Sequence, residues 1–147
     1  MSRRRLSVST REWVARAARF RCGYCLTSER IVGPLLEIDH IVPEAHGGTS
    51  QERNPWLACP LCNSRKADRV QAVDPVTGLA ARLFNPRQDW WPDHFGWVED
   101  GAMIAGTTPI GRATVAALRM NEAGIVAARS LWILAGWHPP RDLFGCQ

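Results

Sequence analysis

No stretch of this sequence approaches the ~20 consecutive apolar residues that a membrane span requires, although 46% of its 147 residues are hydrophobic. The opening Met1-Ser2-Arg3-Arg4-Arg5 lacks the apolar run of a secretory signal, so export is not expected and a cytoplasmic protein is the reading. No internal repeat or low-complexity tract is present. Lysine is almost absent: Lys66 is the only one, and arginine carries nearly all the positive charge. A charged fraction of 22% is ordinary for a soluble globular protein, and the length suits one core plus a substantial extension.

The charge is unevenly spread. Residues 1–70 hold 12 basic against 7 acidic side chains, a net of +5. Residues 71–147 hold 6 against 7, a net of −1. A basic half is the electrostatic footprint of a phosphate-binding surface, although arginines on solvated faces would give the same count.

Four of the five cysteines fall in two C-x-x-C pairs, Cys22/Cys25 and Cys59/Cys62, with 33 residues between them. In a reducing compartment such pairs point to a metal rather than to disulfides. Zinc takes four tetrahedral thiolates, and two cysteines spaced by two residues fit adjacent corners. A closed four-cysteine site leaves no position for substrate, so its role would be structural. Four reduced core cysteines are the plainer alternative. Cys146 has no partner and reads as a bystander.

Hydrophobic periodicity predicts a helix over Ser9–Phe20, capped by Ser9 or Thr10. Gly23 suits the tight turn of the first cysteine knuckle. Leu35–Val42 reads as a strand stopped by Pro43, and His46-Gly47-Gly48-Thr49 as a loop. Asn54–Ala58 is a short extended piece, and a helix runs from Pro60 to about Arg69. A boundary is expected at 74–78, dividing residues 1–73 from an extension, 74–147. In that extension Leu83–Trp91 is rich in Pro and Trp, Glu99-Asp100-Gly101 marks a hairpin, and helices start at Thr108-Pro109 and near Glu122. The aromatic cluster Trp90, Trp91, Phe95 and Trp97 reads as core packing more than as a base-stacking surface. The apolar helix pair either covers the hairpin or forms a homo-oligomer interface.

Between the cysteine pairs lie Glu37-Ile38-Asp39-His40-Ile41-Val42-Pro43, Gly47-Gly48 and Asn54, followed by Cys62-Asn63-x-x-Lys66. This order resembles the HNH endonuclease signature in its zinc-bearing, four-cysteine form, over roughly residues 20–70. The resemblance implies an α+β fold, with a ββα-metal core stapled by zinc and followed by the extension. It implies a metal-dependent endonuclease that hydrolyses DNA phosphodiester bonds and leaves 5′-phosphate and 3′-hydroxyl ends. Low sequence specificity is expected, with DNA held mainly through its phosphates. In that frame His40 is the candidate general base, since an imidazole titrates near working pH. Asp39 and Asn63 are candidate oxygen ligands of a catalytic Mg²⁺ or Mn²⁺. Asn54 matches the central Asn and would hold the loop carrying His40. Arg65, Lys66 and His46 are candidate phosphate contacts.

Each residue also has a plainer role. His40 would be a satisfied half-buried histidine, and Asp39 a solvated strand carboxylate. Asn63 would be a polar neighbour of the zinc knuckle, Arg65 and Lys66 a solvated helix face, and His46 a surface loop residue. The rival function is a non-catalytic zinc-stapled nucleic-acid-binding module, which has no need of a base and oxygen ligands at those positions. A third is a degenerate member acting as an interaction protein through its extension.

Overall fold

The computed structural model describes residues 6–49, 54–141 and 143. The basic Arg3–Arg5 stretch and Cys146 lie outside the described residues. Helices and three two-stranded antiparallel sheets alternate along the chain, which divides into two compact units. The first comprises Met1–Val70 with Asn85–Arg87, the second Gln71–Phe84 with Gln88–Gln147. Among the described residues no helix is long and apolar enough to cross a membrane.

The first unit opens with helix α1, Val8–Ala17. Its cap is Ser7, whose Oγ accepts from the Thr10 amide at 3.2 Å, not Ser9 or Thr10 as the periodicity suggested. The helix also stops short of Phe20, because Arg19 and Phe20 adopt left-handed φ of 53° and 56°. Within the helix only Val14 is buried; Trp13 and, just beyond it, Phe20 are exposed. A four-residue helix, α2 (Glu29–Val32), follows the first cysteine pair. It is capped by Ser28 and ended by Gly33 at φ 83°.

Strand β1 covers Glu37–His40, shorter than the Leu35–Val42 run in the sequence, and pairs antiparallel with β2, Pro55–Ala58. The register sets Asp39 opposite Trp56 and His40 opposite Pro55. A single 3-10 turn, Glu44–His46, begins the connection between the strands. Helix α3, Pro60–Lys66, leaves β2 directly. Proline occupies its first turn and Cys59 is its cap, the sulfur accepting from the Cys62 amide. It ends at Lys66 rather than near Arg69, since Ala67 has a φ of 50°.

The chain returns to this unit at 85–87. There the Arg87 guanidinium lies 5.4 Å from the Trp13 ring centroid and 5.0 Å from that of Trp56. Its Nε and Nη2 both donate to the Pro55 carbonyl. Cation–π contacts contribute ~1 kcal/mol each, so Arg87 ties α1 to β2.

In the second unit, hairpin β3–β4 (Gln71–Val73, Ala80–Arg82) is joined by the turn 74–78. A short helix α4, Trp91–His94, leads into hairpin β5–β6 (Phe95–Val98, Met103–Gly106), which turns at Glu99–Gly101. Helices α5, Pro109–Ala117, and α6, Ala123–Leu134, complete it. Phe84, Trp91 and Phe95 are buried, with Phe84–Phe95 and Trp91–Phe95 centroids 5.0 and 5.1 Å apart. These rings are core.

Asp74 is fully buried, and its two oxygens accept from Arg112 Nε and Nη2 on α5, both at 2.9 Å. The Arg112 hydrogen bonds hold its carboxyl well below the usual carboxylate range. A depressed folded-state pKa contributes stability that is present above the unfolded value, ~4, and is lost as pH falls below it. Asp74→Asn is therefore expected to lower the melting temperature at pH 7, with the gap to wild type closing toward pH 2. A gap independent of pH would refute the ion pair's contribution.

Candidate metal centre and adjoining cleft

The sulfurs of Cys22, Cys25, Cys59 and Cys62 all lie within 4.8 Å of one another, and all four residues are buried. Cys25 and Cys59 sulfurs are 3.7 Å apart. A disulfide would need ~2.05 Å. Tetrahedral zinc with bonds of ~2.3 Å sets sulfurs about 3.8 Å apart, so the donor set fits a structural metal such as zinc. Burial pushes the Cys22 thiol well above its ordinary range; a cation at the centre would offset the cost of thiolates there. Gly23, between the ligands of the first knuckle, lies in the expected turn but not at positive φ. A Cβ there would fall 2.3 Å from the Trp56 ring, so the close approach of β2 is what demands glycine.

Beside this centre a cleft of about 550 Å³ is lined by residues including Asp39, His40, Glu44, Asn63 and Asp68. Neighbours on a strand face opposite ways, yet Asp39 and His40, at the end of β1, both reach it.

Asp39 is 4% exposed. Its Oδ2 accepts from the Tyr24 hydroxyl at 2.7 Å and its Oδ1 from Lys66 Nζ at 3.3 Å. Burial pushes its carboxyl above the ordinary range, with Lys66 and Tyr24 pulling the other way. Burial, reinforced by Asp39's charge, raises the Tyr24 phenol, so it stays a donor. Asn63 donates its amide nitrogen to Glu37 Oε2 at 2.6 Å, which orients the amide on the first turn of α3.

Asn54 bonds three ways. Its Oδ1 accepts from the Val42 amide at 2.7 Å, and its Nδ2 donates to the carbonyls of Val42, at 2.9 Å, and Thr49, at 2.5 Å. It thus closes the loop that follows His40. Gly48 packs into the same loop so tightly that a Cβ would lie 1.6 Å from the Val42 oxygen. Asn54→Ala should cost about 1–3 kcal/mol, the range for stranding buried polar groups, read by urea denaturation. Unchanged stability would mean the loop is held by other contacts.

The three candidate phosphate contacts fare differently. Lys66 is 1% exposed, and its ammonium also donates to the His40 carbonyl at 3.0 Å. It lies inside the unit rather than on a solvated helix face, so it is not placed to touch phosphate. Arg65 is half-buried and His46 exposed on the 3-10 turn; neither lines the cleft. Tyr24 and Glu37 hold site residues that the motif reading passed over. Tyr24 carried one clue, its place between two metal ligands.

Two antiparallel strands and a helix thus carry four clustered cysteines that could hold a metal ion, beside a polar cleft lined by a carboxylate, an imidazole and a carboxamide. The family model that matches is HNH endonuclease, over residues 22–69. That segment runs from the first metal-site cysteine to just past α3, and the match points to a nuclease-type function with a nucleic-acid substrate. No curated protein and no solved structure matches the chain.

Proposed function

We propose that the protein is a metal-dependent endonuclease that hydrolyses DNA phosphodiester bonds. His40 acts as general base, and Asp39 and Asn63 hold a catalytic Mg²⁺ or Mn²⁺. The observation that carries this reading is the convergence of Asp39, His40 and Asn63 on one cleft inside the matched segment.

Carboxylate and amide oxygens suit a hard divalent ion. When bound, that ion supplies charge neutralisation at the scissile phosphate and at the departing oxygen. The chain's own groups do the rest. His40 takes a proton from the water whose oxygen attacks phosphorus, and the bond from phosphorus to the departing oxygen breaks. Asn54 keeps the loop beyond His40 fixed, so the imidazole is aimed rather than swinging. Arg65 is the remaining candidate on α3 for a flanking phosphate, and His46 the one on the loop. The centre of Cys22, Cys25, Cys59 and Cys62 holds zinc in a structural role.

The engagement of both Asp39 oxygens by Tyr24 and Lys66 is the observation favouring the rival, a module that binds nucleic acid without cutting it. Supercoiled plasmid incubated with the full chain in Mg²⁺ or Mn²⁺, beside His40→Ala, separates the two. Nicking by wild type and not by the variant supports the nuclease. Intact plasmid in every divalent ion, with zinc bound and the protein folded, refutes it.

A further inference from the structure

We propose that Tyr24 and Lys66 are positioning residues, clamping the carboxylate of Asp39 so that it holds a divalent ion beside the imidazole of His40. This deepens the nuclease reading and rests on it.

Three observations converge. Tyr24 stands between Cys22 and Cys25, and its hydroxyl donates to Asp39 Oδ2 at 2.7 Å. Lys66 ends α3, the helix that carries Cys62 and is capped by Cys59, and its ammonium donates to Asp39 Oδ1 at 3.3 Å. The same ammonium donates to the His40 carbonyl at 3.0 Å. Each Asp39 oxygen is therefore held by an element that the cysteines tie down, one from each knuckle. Lys66 also links the side chain of Asp39 to the main chain of the next residue, which fixes the end of β1 that lines the cleft.

The clamp leaves Asp39 able to bind an ion. An ionised carboxylate offers about four lone-pair directions, and the two hydrogen bonds use two. Asp39 still lines the cleft. Enclosing an ammonium is costly unless it is paired, and an apolar side chain of similar length would fill the space with less desolvation. The charge at position 66 answers a specific need, and the group it answers is Asp39. Hydrogen-bond partners behind a metal ligand typically change affinity or activity 10–100-fold when removed.

The test uses the full chain with zinc content measured on every sample and Mn²⁺ titrated by electron paramagnetic resonance. Tyr24→Phe removes one hydroxyl, Lys66→Met removes the charge at similar length, and Asp39→Asn serves as reference. Tyr24→Phe is expected to keep the full zinc equivalent and the wild-type circular dichroism while the Kd for Mn²⁺ rises about 10–100-fold. Lys66→Met also removes a cation that repels the ion, so its rise should be smaller than that of Tyr24→Phe. Nicking by Tyr24→Phe should then recover at high Mn²⁺, a shift in KM for the ion more than in kcat. If Lys66→Met does not fold, Tyr24→Phe alone decides. Wild-type Mn²⁺ affinity in Tyr24→Phe overturns the clamp and leaves the nuclease reading standing. A wild-type protein that binds Mn²⁺ and never nicks overturns the nuclease reading instead, with the clamp still visible in the titration. Absence of Mn²⁺ binding in the wild type overturns both.

Discussion

Plasmid nicking by His40→Ala is expected to fall about 10²–10⁴-fold, the range in which a positioned general base accelerates proton transfer. His40 closes β1, lines the cleft and is only half-buried. Trimming it to alanine removes the imidazole without opening a large void. Zinc content and melting temperature should therefore stay at wild-type values, which separates lost chemistry from lost structure. Some cutting should survive, because a divalent ion lowers the pKa of its bound water without help from the side chain. The comparison is made by single-turnover nicking at saturating Mn²⁺. Equal rates in the two proteins would remove His40 from the mechanism.

A second large effect is expected at the metal centre. Cys22→Ser keeps the volume but replaces a thiolate ligand with a hydroxyl. Binding at a four-cysteine zinc site contributes on the order of 10 kcal/mol at neutral pH, comparable with the whole stability of a typical domain, ~5–15 kcal/mol. The four sulfurs bring together two segments far apart in sequence, which are also joined by the Gly23 amide donating to the Leu57 carbonyl. The first knuckle carries the loop 23–28, and the second caps α3. Loss of one ligand should abolish stoichiometric zinc and the cooperative melting of the first unit, and a strong chelator should do the same to the wild type. Metal analysis beside thermal circular dichroism reads both. A Cys22→Ser protein with a full zinc equivalent and an unchanged melting curve would show that the cysteines are ordinary core residues.

Much of this architecture is written locally. Two C-x-x-C pairs specify a metal site because few other arrangements need that double spacing, and their sulfurs do converge. Proline after Cys59 starts α3 where a first-turn residue should. What escaped notice depends on contacts distant in sequence. Lys66 looks like a solvated helix cation by composition and spacing. Its burial follows from Asp39, 27 residues earlier, and no periodicity encodes that pairing. The four residues of α2 are too few to show a helical repeat, so only Ser28 and Gly33 marked its ends. The cap of α1 is Ser7, two or three residues before the expected Ser9 or Thr10, because all three are competent caps and local sequence does not choose among them. Asp74 lies among turn-forming residues, where no local signal announces a distant partner. Its carboxylate anchors α5 through Arg112.

Residues 85–87 bear on how portable the matched segment is. The family match stops at 69, yet the wedge between Trp13 and Trp56 arrives from sixteen residues or more downstream, by way of Arg87. A gene fragment trimmed to the matched boundaries would lose Trp13 as well as Arg87, leaving the Pro55 carbonyl without its guanidinium and Trp56 without its cation. The smallest inheritable piece is thus discontinuous, and insertions between 70 and 85 would be tolerated only if they still deliver that arginine home.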